Sequence, residues 1–158
     1  MLRRHGLSTT SVGITSAFPY LLASIGMVVW SYRMDRSRAF LGSYITACVV
    51  AAAGFALEAC IDSLPVMLAG ISIALIGMNA CRPAIFSLLP AFLQGSAAAA
   101  GIALVSSIGN LGGFVGPYMM GFLKDATGTF TAGLLGLAGI LVLAAVSAPL
   151  IRVVGRKP

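Results

Sequence analysis

Apolar residues in this chain come in blocks of about 20 or more, separated by short polar connectors. Five blocks stand out, at about 12–31, 39–61, 65–89, 97–123 and 130–154. Each is long enough to cross a hydrocarbon core as a helix. None shows the strict apolar–polar alternation of a barrel strand, and a bilayer admits only helices or closed barrels. The pattern therefore predicts an all-α integral membrane protein with five transmembrane helices, A to E. Residues 1–11 are expected as an outer N-terminal segment and 155–158 as a cytoplasmic tail. The connectors SYRMDRSR, IDSLP, PAFLQG and KDATGT leave no room for a soluble domain.

Within the blocks the polar residues are unevenly shared. Helix A sets Ser16, Tyr20 and Ser24 four apart, hence on one face. Helix C sets Ser72, Asn79 and Arg82 within one arc, and helix D sets Ser106 and Asn110 beside Gly109 and Gly113. Helices B and E carry little beyond Thr46, Cys48 and Ser147. Polar groups in a membrane normally face a bundle interior or a water-filled cavity. Helices A, C and D are thus expected to line a path, and B and E to face lipid.

Composition agrees on the solvent. The chain is 59% hydrophobic and 9% charged, with a mean hydropathy of +1.01. A soluble domain carries roughly a quarter charged residues. The net charge of +6 does not indicate nucleic acid, because the basic residues gather at block ends with no stripe of interleaved aromatics. Basic residues at span ends report topology instead. Arg33, Arg36 and Arg38 in the A–B loop and Arg152, Arg156 and Lys157 after helix E fall on one side. Lys124 with Arg3 and Arg4 falls on the other, and six against three places the A–B loop and C-terminus in the cytoplasm. Trp30, Tyr32, Phe40 and Tyr44 form an aromatic belt at that interface.

Three features bear on chemistry. Arg82 lies inside helix C, where a cation is costly. Its guanidinium either meets an anionic substrate in a bidentate fork or snorkels to the interface. Asn110 either bonds a neighbouring helix or lines a cavity, and the Tyr20 hydroxyl packs or points at substrate. The pairs Gly109/Gly113 and Gly112/Gly116 have the small-xxx-small spacing that lets helices approach closely. Glu58 and Asp62 read as a solvated interface pair in preference to a proton site. Cys48, Cys60 and Cys81 lack metal or redox spacing and read as apolar fillers. No metal or cofactor is expected. No HExxH or Gly-x-Ser-x-Gly motif supports an intramembrane enzyme.

Two segments carry a family likeness: GLSTTSVGITSAFPYLLASIGMVVWSYRMDR, and PAIFSLLPAFLQGSAAAAGIALVSSIGNLGGFVGPYMMGFLKDATGTF. They resemble the C-terminal half of a major facilitator superfamily transporter, of the anion:cation symporter family that includes tartrate, phthalate and hexuronate permeases. The stretch SIGNLGGFVGP is the most specific part, and Asp35, Arg36 and Arg38 match the superfamily's cytoplasmic loop motif. The loop departs from that motif in having Ser31 at its glycine position and a shortened basic end, and Ile85-Phe86 stands where an aromatic pair is usual.

The resemblance implies that helices A to E correspond to spans 8–12 of a twelve-helix fold, with the ninth and twelfth peripheral. It implies alternating-access symport of a small organic anion with a proton or cation, in the inner membrane. Tyr20, Asn79, Arg82 and Asn110 would then contact substrate. The expected partners are the bilayer, the substrate pair, and the remaining spans or a partner chain that supplies them. The alternative is a truncated, non-transporting remnant or a structural membrane subunit.

Overall fold

The computed structural model describes residues 9–61 and 63–154, with side chains described over 17–61, 63–90 and 93–150. The expectations for the outer N-terminal segment, its Arg3 and Arg4, and the basic tail residues fall largely outside those limits. Five helices follow one another: α1 (Thr9–Ser37), α2 (Phe40–Cys60), α3 (Leu64–Phe92), α4 (Ser96–Thr127) and α5 (Thr131–Val154). Helices α1, α3 and α4 run past their apolar blocks, because the flanking residues continue the helical ladder, while α2 and α5 stop a residue or two short of theirs. Among the described residues, four are long and apolar enough to cross a membrane: Phe40–Cys60, Leu64–Pro90, Ser96–Thr127 and Thr131–Leu150.

The breaks have local causes. Between α1 and α2 the chain turns at Arg38, whose φ of 51° is a left-handed conformation uncommon for a residue with a side chain. The Ser37 hydroxyl accepts the Ala39 N–H there at 3.4 Å. Pro65 stands in the first turn of α3, where its missing N–H costs nothing. Gly128 ends α4 in the left-handed region at φ 72°, and its N–H returns to the Lys124 carbonyl at 2.8 Å. The Lys124 ammonium lies 4.8 Å from the centre of the Phe130 ring, a contact that bridges the α4–α5 turn.

Packing is unequal. Helix α2 sits between α3 and α5, and α3 between α2 and α1. The consecutive helices α1 and α2 scarcely touch each other. The α2–α3 contact is built from small residues on matched turns: Ala47, Ala51 and Gly54 against Gly70, Ala74 and Gly77. A Cβ at Gly77 would lie 2.6 Å from the Ala47 carbonyl oxygen and 2.8 Å from the Ala51 Cα. A Cβ at Gly54 would lie 2.7 Å from the Gly70 carbonyl oxygen. No real side chain fits those gaps, so the helices meet backbone to backbone.

This arrangement corrects two expectations. Helices B and E, α2 and α5, were expected to face lipid, yet α2 buries Leu41, Ala47, Cys48, Ala51, Ala52 and Gly54 and α5 buries Leu134, Ala138, Ala145 and Ala148. The glycines of helix D, α4, were expected to pack on a neighbouring helix, yet none of the described residues of α4 is buried. The reason is that lipid and a neighbouring helix are equally apolar, so lack of polarity does not say which one a face meets.

Candidate functional site

Several polar positions of α1, α3 and α4 are held by their own helices. The Ser24 hydroxyl donates to the Tyr20 carbonyl at 2.9 Å, Ser72 to Leu68 at 2.6 Å, and Ser107 to Ala103 at 2.9 Å. The Asn79 amide donates to the Leu75 carbonyl at 2.9 Å. This back-bonding satisfies a hydroxyl or amide without any partner helix. Among the described residues, the one side-chain contact of this kind between helices is Cys48 Sγ to Cys81 Sγ, at 3.5 Å across α2 and α3. Both thiols are free.

The expected polar arc on α3 therefore divides by depth of burial. Ser72 is buried, Asn79 half-buried and Arg82 exposed. Arg82 lies roughly ten residues, or about 15 Å, before the end of α3 at Phe92. The helix carries no Asp or Glu, and the acidic residues Asp35, Glu58 and Asp125 all stand near helix ends; Asp62 lies outside the described residues. Arg82 is thus a cation at depth with no acidic residue at its own level of the chain. Pro83 follows it inside the helix and removes one backbone donor, leaving the Asn79 carbonyl without its usual N–H partner. Acceptor, amide and guanidinium from Asn79 and Arg82 are therefore neighbours along one short stretch of α3.

Tyr20 is 62% exposed on α1, and Asn110 is exposed on α4. The two recesses described do not gather the four residues. A shallow one on α1 takes Tyr20 alone of the set, together with Phe18 and Ser24. The larger one, of about 1060 Å³, lies at the other end of α1 and includes Arg36. Tyr20, Arg82 and Asn110 thus occupy open surface, and half-buried Asn79 lines neither of these recesses. Asp35, Arg36 and Arg38 of the loop motif are all exposed.

Four α4 glycines occupy open surface too. A Cβ at Gly109, Gly112, Gly113 or Gly116 would meet nothing within 4 Å. The glycines held against another helix's backbone are Gly54, Gly70 and Gly77, none of which is among the expected packing residues. Their signal was available, since Ala47-Ala51-Gly54 and Gly70-Ala74-Gly77 repeat the same small-residue spacing.

Comparison with known proteins fits a membrane-transport scaffold of this form. The sequence profile of the Major Facilitator Superfamily matches residues 1–158. A protein of Agrobacterium vitis named "Putative tartrate transporter" is 42% identical over 146 residues, 92% of this chain and 32% of its own length. The "Quinolone resistance transporter" of Acinetobacter baumannii is 33% identical over 137 residues, 87% of this chain and 32% of its own. The metabolite transport protein NicT of Pseudomonas putida is 35% identical over 144 residues, 90% of this chain and 33% of its own. No solved structure matches the chain. The chain spans about a third of the length of the curated relatives it matches. With five helices, an apolar bilayer-length core and a family profile covering its whole length, this chain belongs to the major facilitator superfamily of multi-pass membrane transporters.

Proposed function

We propose that these five helices are spans 8–12 of a secondary active symporter for small organic anions, working by alternating access. The observation that carries this reading is Arg82, an exposed guanidinium well inside a helix that carries no other charged residue. Such a group is costly in a membrane unless it has a task or a partner. A carboxylate substrate supplies the missing counter-charge through a bidentate contact. Asn79, one turn earlier, offers the carbonyl freed by Pro83. Tyr20 and Asn110 add polar contacts from α1 and α4 when the facing half of the transporter closes over them. The likeness to a protein named for tartrate transport supports a carboxylate in that role.

On this reading the exposed faces of α1, α3 and α4 are walls of a substrate path whose other wall is formed by the remaining spans. The open α4 glycines receive helices of those spans. The protein sits in the inner membrane with the α1–α2 loop and the C-terminus in the cytoplasm, where the positive-inside rule puts Arg33, Arg36 and Arg38. A proton or cation gradient drives uptake. The test is uptake of radiolabelled tartrate and related dicarboxylates by the full-length protein in proteoliposomes. Arg82→Ala is expected to lower uptake about tenfold or more, the loss of one charge-assisted contact. Arg82→Lys is expected to restore part of it. Unchanged uptake by Arg82→Ala would remove Arg82 from the substrate site.

A further inference from the structure

The larger of the two recesses described lies away from Tyr20, Asn79, Arg82 and Asn110. It is a groove of about 1060 Å³ between the end of α1 and the start of α2. It exists because α1 and α2 both pack on α3 and hardly on each other, with Ile76 of α3 forming part of the floor. Gly26 keeps that floor low, since a Cβ there would lie 2.8 Å from the Ile76 Cγ2.

The groove has a gradient along its length. Arg33 and Arg36 stand at its mouth, three residues apart and therefore on the same face of α1. Below them come Val29 and Trp30, then Gly26. Gly42 and Thr46 line the α2 side, and the Thr46 hydroxyl turns back onto the Gly42 carbonyl at 2.9 Å and the Ser43 carbonyl at 3.0 Å. The deep part thus presents little free polarity. Gly26 to Arg36 is about ten residues, or roughly 15 Å of helix, close to the depth of one leaflet's hydrocarbon, half of a core about 30 Å thick. Trp30 and Tyr32 beside the arginines mark the interface level.

We propose that this groove binds an anionic phospholipid. The phosphate lies at Arg33 and Arg36, and the upper part of one acyl chain lies between α1 and α2. Charge complementarity fixes the headgroup class, because a basic mouth between membrane helices attracts anionic lipid. The apolar depth fixes the occupant as a lipid, since a free small anion would fill only the mouth. The bound lipid holds together two consecutive helices that otherwise touch mainly through α3. The site shares no residue with the proposed substrate contacts, so it stands whether or not those hold.

The test is native mass spectrometry of the intact protein, titrated in detergent with phosphatidylglycerol or with phosphatidylcholine of the same chains. Phosphatidylglycerol is expected to be retained in preference, by about fivefold for each arginine. Arg33→Gln with Arg36→Gln is expected to remove that preference. Gly42→Leu keeps both charges and extends a side chain into a space where a Cβ meets only the Ala39 Cβ at 4.0 Å. It is expected to lower phosphatidylglycerol retention about fivefold. All three positions are exposed, so folding is not at stake in either variant. Equal retention of the two lipids by the unaltered protein overturns the proposal. So does a preference that survives the double substitution, or retention indifferent to Gly42→Leu. Displacement of phosphatidylglycerol by millimolar inorganic phosphate also overturns it, by making the mouth a small-anion site.

Discussion

Helices α2 and α4 both carry small residues at helical spacing, and the structure uses them in opposite ways. On α2, Ala47, Ala51 and Gly54 are buried against the glycines of α3, close enough that an added Cβ would strike backbone. On α4, Gly109, Gly112, Gly113 and Gly116 meet nothing. Small residues permit close approach but do not cause it. A contact also needs a second surface of the same spacing, and α3 offers one to α2. The comparison separates a spacing motif, which is a property of one helix, from an interface, which is a property of two.

The sharpest way to break that contrast is to enlarge the tight glycines. Gly77→Leu is expected to drive α3 away from α2 and to cost about 3 kcal/mol or more, at the upper end for overpacking. Resistance to unfolding in mixed micelles reads this directly, and a stability equal to the unaltered chain would mean that α2 and α3 do not meet there. The matching change on α4, Gly112→Ala, is expected to be neutral or to stabilise this five-helix segment by up to about 1 kcal/mol, because alanine is the better helix former. On the reading proposed above, in which further spans pack on α4, the same change in the twelve-span protein is expected to lower stability. Opposite signs in the two contexts would support that packing.

A smaller effect tests register. Mild oxidation with copper phenanthroline is expected to join Cys48 to Cys81, whose sulfurs already lie 3.5 Å apart, and to leave Cys60 free. Alkylation followed by peptide mass mapping distinguishes the outcomes, and a bond involving Cys60 would contradict the observed register. The smallest effect is expected at Ser72→Ala. Its hydroxyl bonds a carbonyl of its own helix, so removing both the donor and its burial costs little, about 0.5 kcal/mol or less. A loss several times larger would mean that Ser72 also serves α1.

Some of this was readable in advance. The helix count and the approximate connector positions follow from block length and polarity. Arg82 was conspicuous because a cation in an apolar block has few explanations. Its depth was not, since α3 continues past Leu89 to Phe92 and sets Arg82 a further turn from the helix end. The groove at Arg33 and Arg36 was also hidden. It depends on α1 and α2 both choosing α3 as partner, and nothing along either helix announces that choice.

The sequence by itself determined the solvent, the class of fold and the number of helices. Those are sums over consecutive residues: each apolar block is paid for by lipid, and each backbone group is satisfied inside its own helix. Only the tertiary structure decided which helix is central. In a bilayer a lipid tail and a leucine are equivalent neighbours, so hydropathy cannot distinguish an outer face from a packed one. The choice rested on whether two small-residue surfaces matched in spacing, and in this chain α2 and α3 match while α4 presents its glycines to open surface.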